Sequence, residues 1–449
     1  MINRHSLRST AFSGIFIAAL LPISQAFAEL PGYCEIEPPQ NVSLLVRPAA
    51  NEPPITDINW FARPVPNPDN DWIIGYAMYN ENYLYNLTTG DRVRIPDKSD
   101  AVATPDGKYM TVPSFYTPDG YVRFYDNAVL LDHLARGQDA SEVEPVYIHE
   151  NESVRQAYYQ SLGHLEGKTD GNTETDIYRM IFSGTMHESG FRMVDYTFTR
   201  TDGKVSVSPG PAMLLCPEIA NDLNTPFISK DGHYLAAYTS PIEKPQYAEG
   251  ASLKIYRIAD ASGERASCEE VVDFGFAAGK ADFSFDDSAL TFHISNVNYL
   301  TVFVSGGEVF GDSDESGPLS TDVVVAELTR DDGGVINGVG GIRRLTTASE
   351  IGAGNYFPAY LPDGKLFYIS HVQQDLVEDR RFEIRVVDPV ANGYGPNLFS
   401  DEEAVAGAQA IGKLWTQSCR AESAYEYQGH ELPWFLFAMT AAQCSDLVH

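Results

Sequence analysis

Basic residues are scarce in this 449-residue chain: 31 Lys and Arg stand against 62 Asp and Glu, a formal net charge of −31. A chain this acidic repels phosphate backbones and anionic lipid surfaces, which disfavours nucleic acid and membrane surfaces as partners. Long apolar runs are missing as well. No stretch beyond the N-terminus approaches the roughly 20 apolar residues that a transmembrane helix requires. The five cysteines, Cys34, Cys216, Cys268, Cys419 and Cys444, include no Cys-x-x-Cys pair. Zinc-knuckle, haem-attachment and thioredoxin-like chemistry therefore lack their usual signature. There is no Gly-x-Ser-x-Gly elbow for a hydrolase nucleophile. HESGF from His187 and HELPW from His430 lack the second histidine of a zinc-peptidase helix. GHLEGKT, from Gly163 to Thr169, mimics a phosphate loop but has three residues between its glycines where four are needed. Helix-period patterns are sparse, so a helical fold is excluded too.

What is present is a recurring phrase. ATPDGKYMTV (103–112), ISKDGHYLAAY (228–238), FSFDDSALTFHI (283–294) and YLPDGKLFYI (360–369) each read strand, Asp-containing turn, strand. In the last of them Pro362 sets φ near −65° and Gly364 supplies the positive φ that closes a tight turn. Self-similarity at a regular period points to a propeller rather than to independent hairpins in a sandwich. Six repeats follow, beginning near Ile55, Ser99, Asn151, Ala220, Gly275 and Ala348. The predicted fold is an all-β, six-bladed β-propeller over 55–401, each blade of four antiparallel strands. Two irregularities are expected. Repeat three has a long turn, GKTDGNTETD, and repeat five an insertion, Asn296 to Thr321. LLDHLARG in repeat two reads as strand or as a short helical turn. A terminal strand joining the sheet of the opposite terminus would close the ring and remove its open edge.

The ends read differently. Arg4 and Arg8, the apolar run Ile15–Leu21 and the Ala26-Phe27-Ala28 pattern predict a secretory signal over 1–28, with a mature chain starting at Glu29 in the periplasm or outside the cell. Residues 29–54 read as an extended lead-in. Residues 402–449 read as a helical tail, with Ala404, Ala408, Ile411 and Trp415 on one face. In an exported chain disulfides form. Cys216 and Cys268 lie in the outer strands of neighbouring repeats and are expected to bridge them. Cys419 with Cys444 is expected to staple the tail, and Cys34 with either tail cysteine is the competing arrangement.

The run IRRLTT, FPAYLPDGKLFYIS, FEIRVVDP (342–389) resembles the repeat of TolB-type six-bladed propellers: an Arg-Leu-Thr strand end, a Ser-Pro-Asp-Gly-Lys turn and an Ile-Tyr strand. TDIYRM and LKIYRI echo the last element. The resemblance implies a propeller that acts in the cell envelope by binding partner proteins. The family's periplasmic member carries an α/β domain ahead of its propeller, for which 29–54 leaves no room.

The predicted function is accordingly an exported binding or scaffold module, monomeric, for an envelope protein or a polysaccharide. The connections between second and third strands gather on one face around the channel mouth. They place His187, Glu188, Tyr247, His371 and Asp375 there as candidate ligand-binding residues, the two histidines as polar surface groups rather than metal ligands. No motif demands a cofactor. Calcium is the one ion suggested, at Asp312, Asp314, Ser316 and Asp322, where oxygen side chains alternate before Gly317 as in the first half of a calcium loop. The alternative is a propeller enzyme, a glycoside hydrolase or lyase working with channel-lining acids. It has little to draw on, because the inner strands carry one clear acid, Asp282, among aromatic and hydroxylated residues.

Overall fold

The computed structural model describes residues 44–46, 59–78, 81–97, 101–112, 119–155, 157–183, 190–217, 219, 226–239, 252–259, 264–274, 278–295, 321–346, 353–374, 379–389, 426–427 and 430–431. Their strands form six sheets arranged as propeller blades, antiparallel except for one short parallel pairing in blade three, and a separate two-stranded ladder. Inner to outer, blade one is Asn59–Pro64, Ile73–Met78, Glu81–Asn86 and Arg92–Ile95, and blade two is Val102–Ala103, Tyr109–Val112, Val122–Asp126 and Tyr147–His149. Blade four is Phe227–Ile228, Tyr234–Thr239, Ser252–Ile258 and Cys268–Asp273; blade five is Gly279–Phe283, Ala289–Ser295, Thr321–Arg330 and Ile336–Arg344.

The turn that joins each blade's first two strands explains the recurring phrase. In blades two, four and five a hydroxyl donates to the turn aspartate: Thr104 Oγ1 to Asp106 at 2.7 Å, Ser229 Oγ to Asp231 at 2.5 Å, Ser284 Oγ to Asp286 at 2.7 Å. The same hydroxyl accepts the amide of the residue that opens the second strand, Tyr109, Tyr234 or Ala289. Gly107, Gly232 and Gly364 occupy equivalent places with φ of 73°, 77° and 85°, where a side chain would strain the backbone. Asp287 fills that place in blade five at φ 53°.

Blade three departs from the expected loop. Its inner strands run Tyr158–Asp170 and Thr173–Ser183, closed by a tight turn at Gly171, so most of GKTDGNTETD is paired strand. The alternation of Thr, Ile and Tyr through 173–178 suits a half-buried ladder better than a loop. Phe191–Thr201 follows, and its partner is split in two: Lys204–Pro209 pairs Tyr196–Thr201, and Met213–Leu215 pairs Phe191–Met193. Arg265–Ala266, on its way to the outer strand of blade four, adds in parallel to Met213–Leu215. The Cys216–Cys268 disulfide lies beside this join, with Cα atoms 5.0 Å apart, and ties blade three to blade four as expected.

LLDHLARG is helix. Asn127–Arg136 starts on Asp126, whose carboxylate accepts the Ala128 amide, and stops at Gly137 in the left-handed region, the usual pair of helix signals. Its Leu130 and Leu134 fill the seam between blades one and two.

Closure is made by the N-terminal segment. Leu44–Val46, inside the stretch read as a lead-in, pairs antiparallel with Ile384–Val386 as the outer strand of blade six, beside Asp379–Val387, Leu366–Gln374 and Ala353–Tyr360. The six buried apolar clusters each straddle one pair of neighbouring blades. Phe124, Tyr178 and Phe198 meet between blades two and three, Phe274, Phe283 and Phe292 between four and five, and Tyr76, Phe357 and Phe367 between six and one. Each such ring contributes about 1.5–3 kcal/mol by leaving water, so the seams rather than a central core hold the ring together. The tail read as helical lies outside the described residues, apart from a pairing of Glu426–Tyr427 with His430–Glu431.

Candidate functional site

The channel is bounded by the first strand of each blade, and contacts between non-adjacent blades show what fills it. The guanidinium of Arg63 in blade one lies 5.0 Å from the ring centroid of Phe227 in blade four, directly across the ring. Lys280 Nζ of blade five lies 4.7 Å from the Tyr159 ring of blade three and 5.7 Å from that of Phe357 in blade six. A backbone device sets this up. Tyr159, Lys280 and Phe357 all have left-handed φ, 49°, 51° and 51°, and each sits where the register of its inner strand shifts. Such bulges re-aim a side chain out of the ladder.

Around this crossing the electrostatics are tightly compensated. His293 is fully buried, and burial, with Lys280 adding repulsion, pushes its imidazole down to about 3. It is therefore neutral, and its Nδ1 accepts the Phe357 amide at 3.4 Å. Asp282, the acid on which the enzymatic alternative rested, is buried and tied up: it accepts Lys230 Nζ at 2.7 Å and the Tyr360 amide at 2.9 Å. No second acid occurs in the first-strand stretches NWFARP, VA, YYQSL, FI, GKADF and AGNYFPAY.

A second polar assembly lies at the opposite end from the second-to-third-strand connections, where the blade-two turn meets the inner hairpin of blade three. Asp106 accepts Tyr178 Oη at 2.6 Å. Lys108 Nζ contacts Glu174 at 2.7 Å, Asp176 at 2.8 Å and Asp106 at 3.4 Å. Burial lowers the Lys108 ammonium, but the hydrogen bonds it donates to Asp176 and Glu174 outweigh this and hold its pKa above the ordinary value. His164 Nε2 lies 3.1 Å from Asp176 Oδ1.

Of the residues expected to bind ligand, His187, Glu188, Tyr247 and Asp375 lie outside the described residues, as do Asp312, Asp314 and Ser316 of the calcium stretch and Cys34, Cys419 and Cys444. His371 stands on the second strand of blade six opposite Gly354 and Phe382, and Asp322 opens the third strand of blade five opposite Ile294. The described strand ends Ser183 and Phe191, Thr239 and Ser252, Ser295 and Thr321, and Gln374 and Asp379 all flank second-to-third-strand connections. Neither the Lys280 crossing nor the Asp106–His164–Asp176 group was anticipated. His164 was visible only inside a stretch dismissed as a false phosphate loop.

No protein-family model matches the sequence, and no curated protein matches it. Among solved structures, the chain is similar to a putative TolB from Agrobacterium tumefaciens, at 13% identity and a TM-score of 0.36 over 71% of this chain and 88% of that one. It is similar to TolB from Acinetobacter baumannii at 14% identity and a TM-score of 0.32, covering 81% and 66%. It is also similar to the β-propeller domain of the Trilobed protease from Pyrococcus furiosus, described as having an open velcro topology, at 12% identity and a TM-score of 0.31, covering 78% and 97%. The fold rests on the chain's own sheets: five four-stranded blades and the six-stranded blade three, closed by Leu44–Val46, make this protein a six-bladed β-propeller.

Proposed function

We propose that the chain is an exported binding module that holds an envelope protein or a polysaccharide on the face carrying its second-to-third-strand connections, and that it does no chemistry in its channel. The observation that supports this reading is the state of the inner strands. Glycoside hydrolysis needs two carboxylates facing each other across a substrate, roughly 5 to 9.5 Å apart. The stretches NWFARP, VA, YYQSL, FI, GKADF and AGNYFPAY of the first strands offer one, Asp282, already bonded to Lys230 and a backbone amide. Cation–aromatic pairs cross the space a substrate would need. Binding at the loop face demands none of this, because specificity there comes from connections mounted on a rigid ring. His187, Glu188, Tyr247, His371 and Asp375 are the residues assigned to it, and a calcium ion at Asp312, Asp314, Ser316 and Asp322 would order the longest connection.

The test is capture of envelope proteins and glycans by the immobilised chain, compared with a variant carrying Tyr247→Ala and His371→Ala. A ligand held by the parent and released by the variant supports the reading. Turnover of an oligosaccharide that disappears in Asp282→Asn would replace it with the enzymatic one.

A further inference from the structure

We propose that Asp106, His164 and Asp176 form a site for a divalent transition cation of the zinc type, on the end of the ring opposite the proposed ligand face, with Lys108 as the internal cation it displaces. The three side chains come from the blade-two turn and from both strands of the blade-three inner hairpin, and their donor atoms all lie within 4.8 Å of one another. A tetrahedral ion with bonds near 2.1 Å needs donors about 3.4 Å apart, so small side-chain rotations suffice. The donor chemistry is one imidazole and two carboxylates, which suits zinc and its neighbours rather than calcium or magnesium.

Two features prepare the site. The register shift between His164 and Glu166 turns His164 toward Asp176. Gly167 leaves the donors uncovered: a Cβ there would stand 2.9 Å from Asp176 Oδ1 and 3.2 Å from His164 Nε2. The outer supports are also present, since Tyr178 Oη and Thr104 Oγ1 orient the Asp106 carboxylate, as ligating carboxylates require.

Charge sets the direction of the exchange. Asp106, Glu174 and Asp176 with Lys108 carry a net charge of −2 when His164 is neutral, which one divalent ion cancels. Lys108 keeps a partner when the ion enters, because Glu174 is not among the ligands and already lies 2.7 Å from Nζ.

Isothermal titration of the full chain with zinc chloride, and zinc retained per chain after gel filtration, test the site. Affinity should fall by at least about tenfold in His164→Gln and in Asp176→Asn. It should rise in Lys108→Met, where the competing ammonium is gone, an outcome that a purely structural ion-pair network would not give. Zinc heats unchanged by His164→Gln, weaker binding in Lys108→Met, or binding of calcium but not zinc would each overturn the proposal.

Discussion

Arg63 stacks on Phe227 across the full width of the ring, 5.0 Å from guanidinium carbon to ring centroid, although the two residues belong to opposite blades. Phe227 is 5% exposed and Arg63 is partly buried, and the pair joins blades that share no seam. Phe227→Ala should cost about 3–5 kcal/mol through the cavity it leaves. Arg63→Met, which keeps the apolar stem, should cost only about 0.5–2 kcal/mol. Equilibrium denaturation of both variants measures the difference, and equal losses would mean that the guanidinium charge rather than ring burial dominates the contact.

His293 makes the ring acid-sensitive. Its folded pKa of about 3 lies below the ordinary 6.5, so between those values the unfolded chain binds a proton that the native one refuses. Stability is then lost as pH falls through that window. Denaturation midpoints recorded from pH 7 to pH 4 should decline less steeply in His293→Asn than in the parent.

Asp287 works in the opposite direction. Burial, with the Asp231 carboxylate adding repulsion, raises it to about 7, despite the amides of Lys230 and Asp231 that it accepts at 2.7 and 2.8 Å. The native state holds the proton more tightly than the unfolded chain, whose carboxyl titrates near 3.8. The contribution of this group therefore weakens as pH rises from about 4 through 7. Asp287→Asn should flatten the stability profile between about pH 4 and 7, the window set by that shift, read by the same denaturation series.

The Cys216–Cys268 bridge closes a 52-residue separation. Replacing both cysteines with serine should cost about 2–4 kcal/mol. Peptide mapping without reductant should recover this bridge together with Cys419–Cys444; recovery of Cys34 joined to a tail cysteine would refute the tail staple.

The proposed export entails cleavage after Ala28, so intact-mass measurement of the protein purified from periplasm or medium should give a chain that begins at Glu29. A product retaining Met1 there would remove the basis for placing it in the envelope.

Much of the fold was legible because its signals are local. Thr104, Ser229 and Ser284, each two residues before an aspartate, fold their own turns by bonding within five residues. Alternation along LKIYRI marks a buried face, and the continuous apolar run Leu366–Ile369 marks a strand covered on both faces. Repeat number follows from counting those units. The blade-three turn misled because Asp, Gly, Asn and Thr in GKTDGNTETD are loop residues by composition. Gly171 and Asn172 carry the bend there; Gly167–Asp170 pair with Thr173–Asp176, and Thr173–Ile177 pair in turn with Thr197–Thr201.

What the sequence determined by itself was therefore the turns, the strand faces, the count of blades and the Cys216–Cys268 partnership. Only the tertiary structure decided that Leu44–Val46 belongs to blade six, that Lys280 reaches Tyr159 and Phe357, that Lys230 occupies Asp282, and that Asp106, His164 and Asp176 converge. The physical reason is separation along the chain. A turn is specified by the dihedral preferences of four adjacent residues. A contact between residues 58 to 121 positions apart, as for Asp106 with His164 or Lys280 with Tyr159, arises when closure of the ring brings their strands to the same place, and no local preference records it.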